Sequence, residues 1–159
     1  MELDAIDRRL LDILQDDCAL TNQALAERIH VSPPTCLRRV KRLVEAGMIE
    51  RRVAILSPDR LPGLTAIVEL TLDQQGAEHL AEFEVRVAVE PEVQQCYRVA
   101  SGVDFVLVLR VVDMAAYHAL VHRLFTAAAN VRNLRVFFSV RRAKFEPRLA
   151  LPATASSAP

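Results

Sequence analysis

Residues 21–47, TNQALAERIHVSPPTCLRRVKRLVEAG, decide the fold of the first part of the chain. They predict two short helices separated by a tight turn. Thr21 can cap the first helix, because its hydroxyl accepts an N–H that the first turn leaves unpaired. Ser32 can cap the second, Pro33 stands at the first helical position, where no N–H is needed, and Gly47 ends the run. Two capped helices in succession are typical of a helix-turn-helix.

The second of these helices is basic, and it is the predicted DNA-reading helix. Between positions 28 and 42 the chain has five basic residues and no acidic one. A solvated basic face on an ordinary helix is the alternative, which the joint occurrence of cap, proline and acid-free charge disfavours. Arg38 or Arg39 is expected to bond a guanine bidentately, and the later basic residues to hold phosphate. The predicted DNA-contacting residues are Ser32, Pro34, Thr35, Arg38, Arg39, Lys41, Arg42, Arg51 and Arg52.

The same helix predicts its own buried side. Leu37, Val40, Leu43 and Val44 are expected to pack inward, and we interpret Cys36 as a small core residue rather than a redox switch. For Ser32 we favour the helix cap over a phosphate contact.

Composition and charge limit the class of protein. The 159 residues are 52% hydrophobic, which is enough for one good core or two small ones. Three widely spaced cysteines favour reduced thiols in a cytosol over a disulfide framework or a zinc site. No apolar stretch is long enough to span a bilayer, and acidic residues near position 1 argue against a signal peptide, so a cytoplasmic location is expected. The formal net charge is zero, but the charges form blocks, acidic at 69–92 and basic at 132–148, which can pair between subunits or within one.

The predicted domain order is helical first and mixed afterwards. A helix with Asp4 as its cap precedes the two above, and residues 49–56 are short enough for a strand or wing. Two prolines and a glycine within 57–64 indicate a linker. We therefore predict a winged helix-turn-helix domain at 1–56, a hinge at 57–64, a second domain at 65–148 and a disordered tail at 149–159.

The second domain is predicted to be ferredoxin-like, with the order βαββαβ. Alternating β-branched residues predict strands at 65–73, 93–100, 104–112 and 131–146, with helices at 76–89 and 113–128. Ser101-Gly102-Val103 is the predicted hairpin turn. Such a sheet carries both helices on one face, and the strands are apolar on both faces, so the open face is expected to be covered by dimerisation.

The chain resembles the Lrp/AsnC family of bacterial and archaeal transcription regulators over nearly its whole length. The resemblance is carried by LDAIDRRLLDILQDD at 3–17, the run from 21 to 52, VQQCYRVASGVDF at 93–105 and VVDMAAYHAL at 111–120. It implies a DNA-binding winged helix joined to an effector-binding ferredoxin-like domain. Members of the family form dimers through paired sheets and often larger rings, and many sense amino acids.

The resemblance also implies an effector site at Ser101, Gly102, Val103, Asp104, Leu134 and Val136. Asp104 aligns with a family aspartate that holds an α-ammonium, but Ser101 stands at the family's glycine position and Gly102 follows it. Leu134-Arg135-Val136 replaces the usual Thr-x-Thr, so a polar amino acid should bind less well. The alternative for Asp104 is a residue that caps the hairpin at the start of a strand.

These observations predict an oligomeric, sequence-specific transcriptional regulator, modulated by a small molecule such as an amino acid. Its expected partners are double-stranded DNA, the effector and further copies of itself, as a dimer or a larger assembly such as an octamer, with no cofactor and no membrane. His118 and His122 have metal-ligand spacing but no third ligand near in sequence, so a solvated or interfacial pair is expected. The alternatives are a ligand-independent DNA-architectural protein and a sirohaem-decarboxylase-like enzyme, which would need no basic reading helix.

Overall fold

The computed structural model describes residues 2–126 and 130–151, and it consists of two compact units. The first unit joins Met1–Ile55 to the chain from Lys144 onward, and the second is Leu56–Ala143. Residues 144–148, which the sequence groups with the second domain, therefore belong to the first unit. No helix in the described part of the chain is long and apolar enough to cross a membrane.

Three helices form the first unit: α1 (Ala5–Asp16), α2 (Asn22–Ile29) and α3 (Pro33–Glu45). The predicted caps of the first two are confirmed. The Asp4 carboxylate accepts the Asp7 N–H at 2.8 Å, and the Thr21 hydroxyl accepts the Ala24 N–H at 3.2 Å. The three helices share one apolar core, whose buried members are Leu10, Leu11, Leu25, Ala26, Ile29, Cys36, Val40 and Leu43.

Two residues with positive φ shape the ends of α2 and α3. His30, with φ 57°, makes the turn between them, in a conformation that histidine adopts more readily than bulky residues do. Gly47, with φ 70°, follows α3, and the Met48 N–H then donates to the Leu43 carbonyl at 3.0 Å. The left-handed conformation of Gly47 lets backbone N–H groups bond carbonyls of the last turn, so the helix ends before Gly47, as the sequence predicts.

The segment 49–56, expected to be a strand or wing, forms no strand. Residues 50–57 carry no helix or strand, and Val53, Ile55 and Leu56 are exposed. A strand requires a neighbour for its backbone N–H and C=O groups, and no strand among the described residues pairs with this segment.

The C-terminal strap, which we define as residues 144–151, returns to α1. The Gln15 side chain donates to the Leu149 carbonyl at 3.2 Å and accepts the Leu149 N–H at 2.7 Å. Arg148 lies 3.3 Å from Asp12 and 3.1 Å from Asp16. The first residues of the predicted disordered tail at 149–159 thus make defined contacts, and residues 152–159 lie outside the described residues.

The second unit contains a four-stranded sheet with helices between its strands. The elements are β1 (Leu64–Leu72), α4 (Ala77–Ala88), β2 (Val93–Arg98), β3 (Phe105–Val111), α5 (Met114–Val121) and β4 (Val131–Phe138). The sheet order is β2-β3-β1-β4, with every neighbouring pair antiparallel. This confirms the predicted ferredoxin-like fold. A π-helical turn at His122–Thr126 follows α5, and the rest of the helix predicted to 128 lies outside the described residues.

The prediction that the last strand runs to 146 is wrong, because β4 ends at Phe138. Phe138 is the register partner of Ala66, and Ser139 makes one further bond to the Thr65 carbonyl at 2.8 Å. Since β1 begins at Leu64, the ladder has no partner for later residues.

One face of the sheet is covered and the other is open. Alternate residues of β1 and β3 pack against α4 and α5, and their buried members are Ala66, Val68, Leu70, Leu72, Phe105, Leu107, Leu109 and Val111. The open face, which we define by Ile67, Tyr97, Val106, Val108 and Phe137, leaves large apolar side chains exposed or half-buried.

Candidate nucleic-acid interface and effector site

The buried side of α3 is narrower than the sequence predicts. Cys36, Val40 and Leu43 are buried, whereas Leu37 and Val44 are 60% and 46% exposed. The prediction that Leu37 and Val44 pack inward is wrong. Each follows a buried residue, and one step along a helix turns the side chain by about 100°. Burial raises the pKa of the Cys36 thiol, in agreement with its interpretation as a core residue.

Arg38 lies on the exposed side of α3. It has no hydrogen bond or ion pair with any described residue. The Lys41 side chain is 74% exposed and its Nζ lies 3.7 Å from Glu45 Oε1, and such exposed ion pairs contribute little to stability. Arg51 and Arg52 are likewise exposed and make no ion pair within the described part of the chain. These four cations are available to an anionic partner.

Arg39 and Arg42 are engaged inside the first unit. Arg39 Nη1 donates to Asp4 Oδ2 at 2.6 Å and to Asp7 Oδ1 at 2.8 Å. Arg42 Nη2 donates to Asp7 Oδ2. The Asp7 side chain is buried, so each of its oxygens binds one guanidinium in place of water. Arg39 is therefore not free to bond a base, and Arg42 is paired with Asp7.

This cluster has an electrostatic signature. The Asp7 backbone N–H and the Arg39 guanidinium hold the pKa of the Asp4 carboxyl below its ordinary value. The same carboxylates raise the pKa of Arg39. Sequence reasoning missed the cluster, although a signal exists. Two acids spaced i, i+3, at the cap and in the first turn of α1, match two arginines spaced i, i+3 on α3, and side chains at that spacing share a helix face.

Ser32 occupies the N-cap position of α3 but does not cap it, so that prediction is wrong. Its hydroxyl lies 2.9 Å from the Thr35 hydroxyl and makes no cap bond to the backbone. Pro33 and Pro34 remove the first two N–H groups, and the first one available belongs to Thr35. Pro34 is exposed and Thr35 half-buried at the start of α3.

Asp104 fastens the predicted effector turn to β1. Its Oδ2 accepts the Leu72 N–H at 2.7 Å and the Gln75 side-chain amide at 3.1 Å. Its own N–H donates to the Leu70 carbonyl at 2.9 Å. Gly102, with φ 87°, lies at the exposed tip of the turn. Asp104 Oδ2 therefore connects the turn at 101–104 to the end of β1 and to Gln75 by hydrogen bonds.

The other predicted effector residues flank the same end of β1. Leu134 is the register partner of Leu70, and Val136 is that of Val68. Both side chains are partly buried and pack against the core of the second unit. The structure thus brings the turn at 101–104 and the start of β4 to one end of the sheet, but it turns Leu134 and Val136 toward the core.

Comparison with known proteins places these two units in one family. A winged helix-turn-helix DNA-binding profile matches residues 3–50, and the profile of the Lrp/AsnC ligand binding domain matches residues 65–149. The chain belongs to the Lrp/AsnC family.

Relatives of this Lrp/AsnC chain match nearly its full length. The leucine-responsive regulatory protein of Escherichia coli is 34% identical over 94% of this chain and 92% of its own. The DNA-binding transcriptional activator DecR of the same organism is 33% identical, over 94% and 99%. A crystal structure of a Neisseria meningitidis transcriptional regulator in complex with L-methionine aligns with a TM-score of 0.81 at 30% identity, over 94% and 97%. The chain is accordingly a DNA-binding transcriptional regulator with a ligand-binding domain, rather than an enzyme.

Two surface hollows lie near the predicted DNA-binding and effector-binding regions. One, of about 700 Å³, runs along the exposed side of α3 and is lined by residues that include Leu37, Lys41, Val44, Arg51 and Arg52. Another, of about 390 Å³, lies beside the end of β1 and includes Asp73, His79, Glu82, Arg86 and Asn130. Sequence reasoning selected the cations of the first hollow and none of the residues of the second.

The predicted histidine pair has no metal-site geometry around it. His118 stacks edge-on against Tyr117, with ring centroids 5.6 Å apart. Among the described residues, no group of three His, Cys, Asp or Glu side chains is placed to hold a metal ion.

Proposed function

We propose that the protein recognises specific DNA sequences through α3, as an oligomer whose DNA binding responds to an amino acid or a related small molecule in the cytoplasm. The observation that carries the proposal is the state of Arg38. Its guanidinium is exposed on the basic helix α3, and it makes no bond with the rest of the described chain. An arginine in that state can donate bidentately to guanine O6 and N7.

The neighbours of Arg38 divide into two roles. Pro34 and Thr35, at the helix start, lie where a recognition helix meets base edges. Lys41, Arg51 and Arg52 are exposed cations further along the same surface, suited to phosphate. The exposed Ser32 hydroxyl can donate to phosphate while it accepts a hydrogen bond from the Thr35 hydroxyl.

Assembly of at least a dimer is supported by the open face of the sheet. Ile67, Tyr97 and Phe137 expose large apolar surface there, and contiguous surface of this kind marks an interaction site. Glu69 and Arg135 lie 3.2 Å apart on the same face, so this part of the two charge blocks pairs within one subunit. A second copy of the face offers matching apolar surface, as a twofold interface requires.

Effector binding is supported by the ligand-binding domain match and by the L-methionine in the neighbouring structure. The turn residues Ser101, Gly102 and Val103 present backbone groups at the surface. Asp104 has Oδ1 left for an ammonium group, because the two bonds described above use Oδ2. Leu134 and Val136 pack against the core of the second unit, so they support this end of the sheet rather than contact the ligand.

The test uses fluorescence anisotropy with two duplexes, one from the region upstream of the protein's own gene and one of scrambled sequence. Arg38→Ala should weaken the specific complex by about 5-fold to 150-fold, equivalent to roughly 1–3 kcal/mol. Its effect on the scrambled duplex should be much smaller. Arg28→Ala, which removes an exposed arginine from α2, is the matched control and should leave the ratio of the two affinities unchanged.

Equal losses on both duplexes for Arg38→Ala would show that this arginine touches only phosphate. An unchanged specific affinity would refute base reading through α3. Failure of every amino acid to alter binding or thermal stability at millimolar concentration would instead favour a ligand-independent architectural protein.

A further inference from the structure

The ion-pair cluster between α1 and α3 contains two carboxylates and two guanidinium groups. Asp4 and Asp7 come from α1, and Arg39 and Arg42 come from α3. Arg39 bonds both carboxylates, while Arg42 bonds Asp7 alone. The acids are not equally accessible, because the Asp4 side chain is 51% exposed and that of Asp7 is 1% exposed.

The cluster halves the free positive charge of α3. The helix carries four basic residues, and Arg38 and Lys41 remain available while Arg39 and Arg42 are matched by internal acids. Duplex DNA attracts any free cation regardless of sequence, and each phosphate neutralised contributes about 0.9 to the salt slope of binding. A paired guanidinium adds to that term only if its carboxylates release it.

We propose that Asp4 and Asp7 limit sequence-independent DNA binding, by holding Arg39 and Arg42 in ion pairs and away from phosphate. This inference rests on the proposed contact between α3 and DNA. It assigns a function to two acids of α1 that contact no nucleic acid themselves. The exposed carboxylate of Asp4 is the one whose removal frees charge at least cost to the fold.

Asp4→Asn is the informative variant, because asparagine caps a helix as well as aspartate does. It removes one negative charge and leaves Arg39 and Arg42 to share Asp7. On a scrambled duplex in about 0.15 M salt, one additional phosphate contact should raise affinity about five-fold and steepen the salt slope by about 0.9.

Two single variants control for the change of charge and for the change of cap. Asp16→Asn removes an acid from the same helix, but its partner is Arg148 of the C-terminal strap and not an arginine of α3. Asp113→Asn alters the cap of α5, whose carboxylate accepts the Ala116 N–H at 2.8 Å. Both should leave the scrambled-duplex affinity within about two-fold of the wild type, since neither releases a cation of α3.

The double variant Asp4→Asn with Arg39→Gln removes the pair without changing the net charge. If Arg39 is withheld from DNA in the wild type, the double variant should return to the wild-type affinity and salt slope. A fall well below the wild type would overturn the proposal, because Arg39 would then be contacting phosphate already. An unchanged or weaker affinity for Asp4→Asn alone would overturn it too.

The proposed function has a separate readout, which is the ratio of specific to scrambled affinity for Arg38→Ala. That ratio can fail while the Asp4→Asn effect holds, and the reverse is also possible. Circular dichroism of each variant at the assay temperature confirms that it is folded.

Discussion

Asp7 is a buried charged residue whose substitution should strongly destabilise the first unit. Its buried carboxylate accepts bonds from Arg39 and Arg42, and it also accepts the Asp4 N–H at 3.3 Å in the capping box. Asp7→Asn keeps the shape of the side chain and removes its charge. Two guanidinium groups would then lose the anion between them.

The expected cost follows from how much solvent the arginines retain. Removing one partner of a buried ion pair costs about 3–5 kcal/mol. Here the Arg39 and Arg42 side chains are 21% and 49% exposed, so they regain part of their hydration, and the amide oxygen still accepts one bond. We therefore expect a loss of about 2–3 kcal/mol, a large share of the roughly 5–15 kcal/mol that stabilises a domain.

The chain allows the two units to be followed separately in urea. It has no tryptophan and two tyrosines, Tyr97 and Tyr117, both in the second unit. Tyrosine fluorescence therefore reports the second unit, while far-ultraviolet circular dichroism also follows α1, α2 and α3. Asp7→Asn should shift the helical transition by about 1–2 M urea and leave the fluorescence transition in place.

Asp12→Asn is the matched control, because Asp12 lies on the same helix and pairs with Arg148, where both side chains are about half exposed. Such a pair contributes at most about 1 kcal/mol, so the control should shift the helical transition little. If the two variants shift it equally, the buried cluster does not hold the first unit together and the reasoning above is refuted.

Three further predictions concern the second unit. A hydrogen bond from Arg123 lowers the pKa of Glu90 from its ordinary value of 4.5, so the ion pair stabilises the fold above that pH and the contribution is lost as the pH falls below it. Glu90→Gln should therefore make the urea transition of tyrosine fluorescence less dependent on pH in the acid range. An unaltered pH dependence would contradict the assignment. Val106→Asp, on the open face, should convert the assembly to the 17.8 kDa monomer in sedimentation. Leu107→Asp, at the neighbouring buried position, should instead unfold the second unit. An intact oligomer of the Val106→Asp variant would count against an interface on the open face. Asp104→Ala should abolish thermal stabilisation by L-methionine or another effective amino acid; a surviving response would place the pocket elsewhere.

The helices and strands were predictable because their signals are local. Asp4, Thr21 and Asp113 each accept an N–H three residues later, and the apolar period then separates α-helix from β-strand. The end of β4 could not be found in this way. It depends on where β1 begins, which is a property of the partner strand rather than of residues 139–146.

The site divides along the same line. Exposure of Arg38 follows from its place on the helix, so the sequence was sufficient to select it. The engagement of Arg39 depends on the packing of α1 against α3, and the pattern of either helix alone does not contain it. Ser32 shows a third case, because its hydroxyl contacts the Thr35 hydroxyl at 2.9 Å and makes no bond to the Thr35 N–H three residues later.

The C-terminal strap has a consequence for how the protein is made. Since residues 144–151 complete the first unit, the second unit is in effect an insertion within the DNA-binding one. During synthesis the three helices leave the ribosome first, but the bonds of Gln15 with Leu149 can form only after the whole sheet has been translated. A helix-turn-helix fragment ending at Ile55 would lack them, and a stop codon shortly after β4 would damage the DNA-binding unit at the opposite end of the gene.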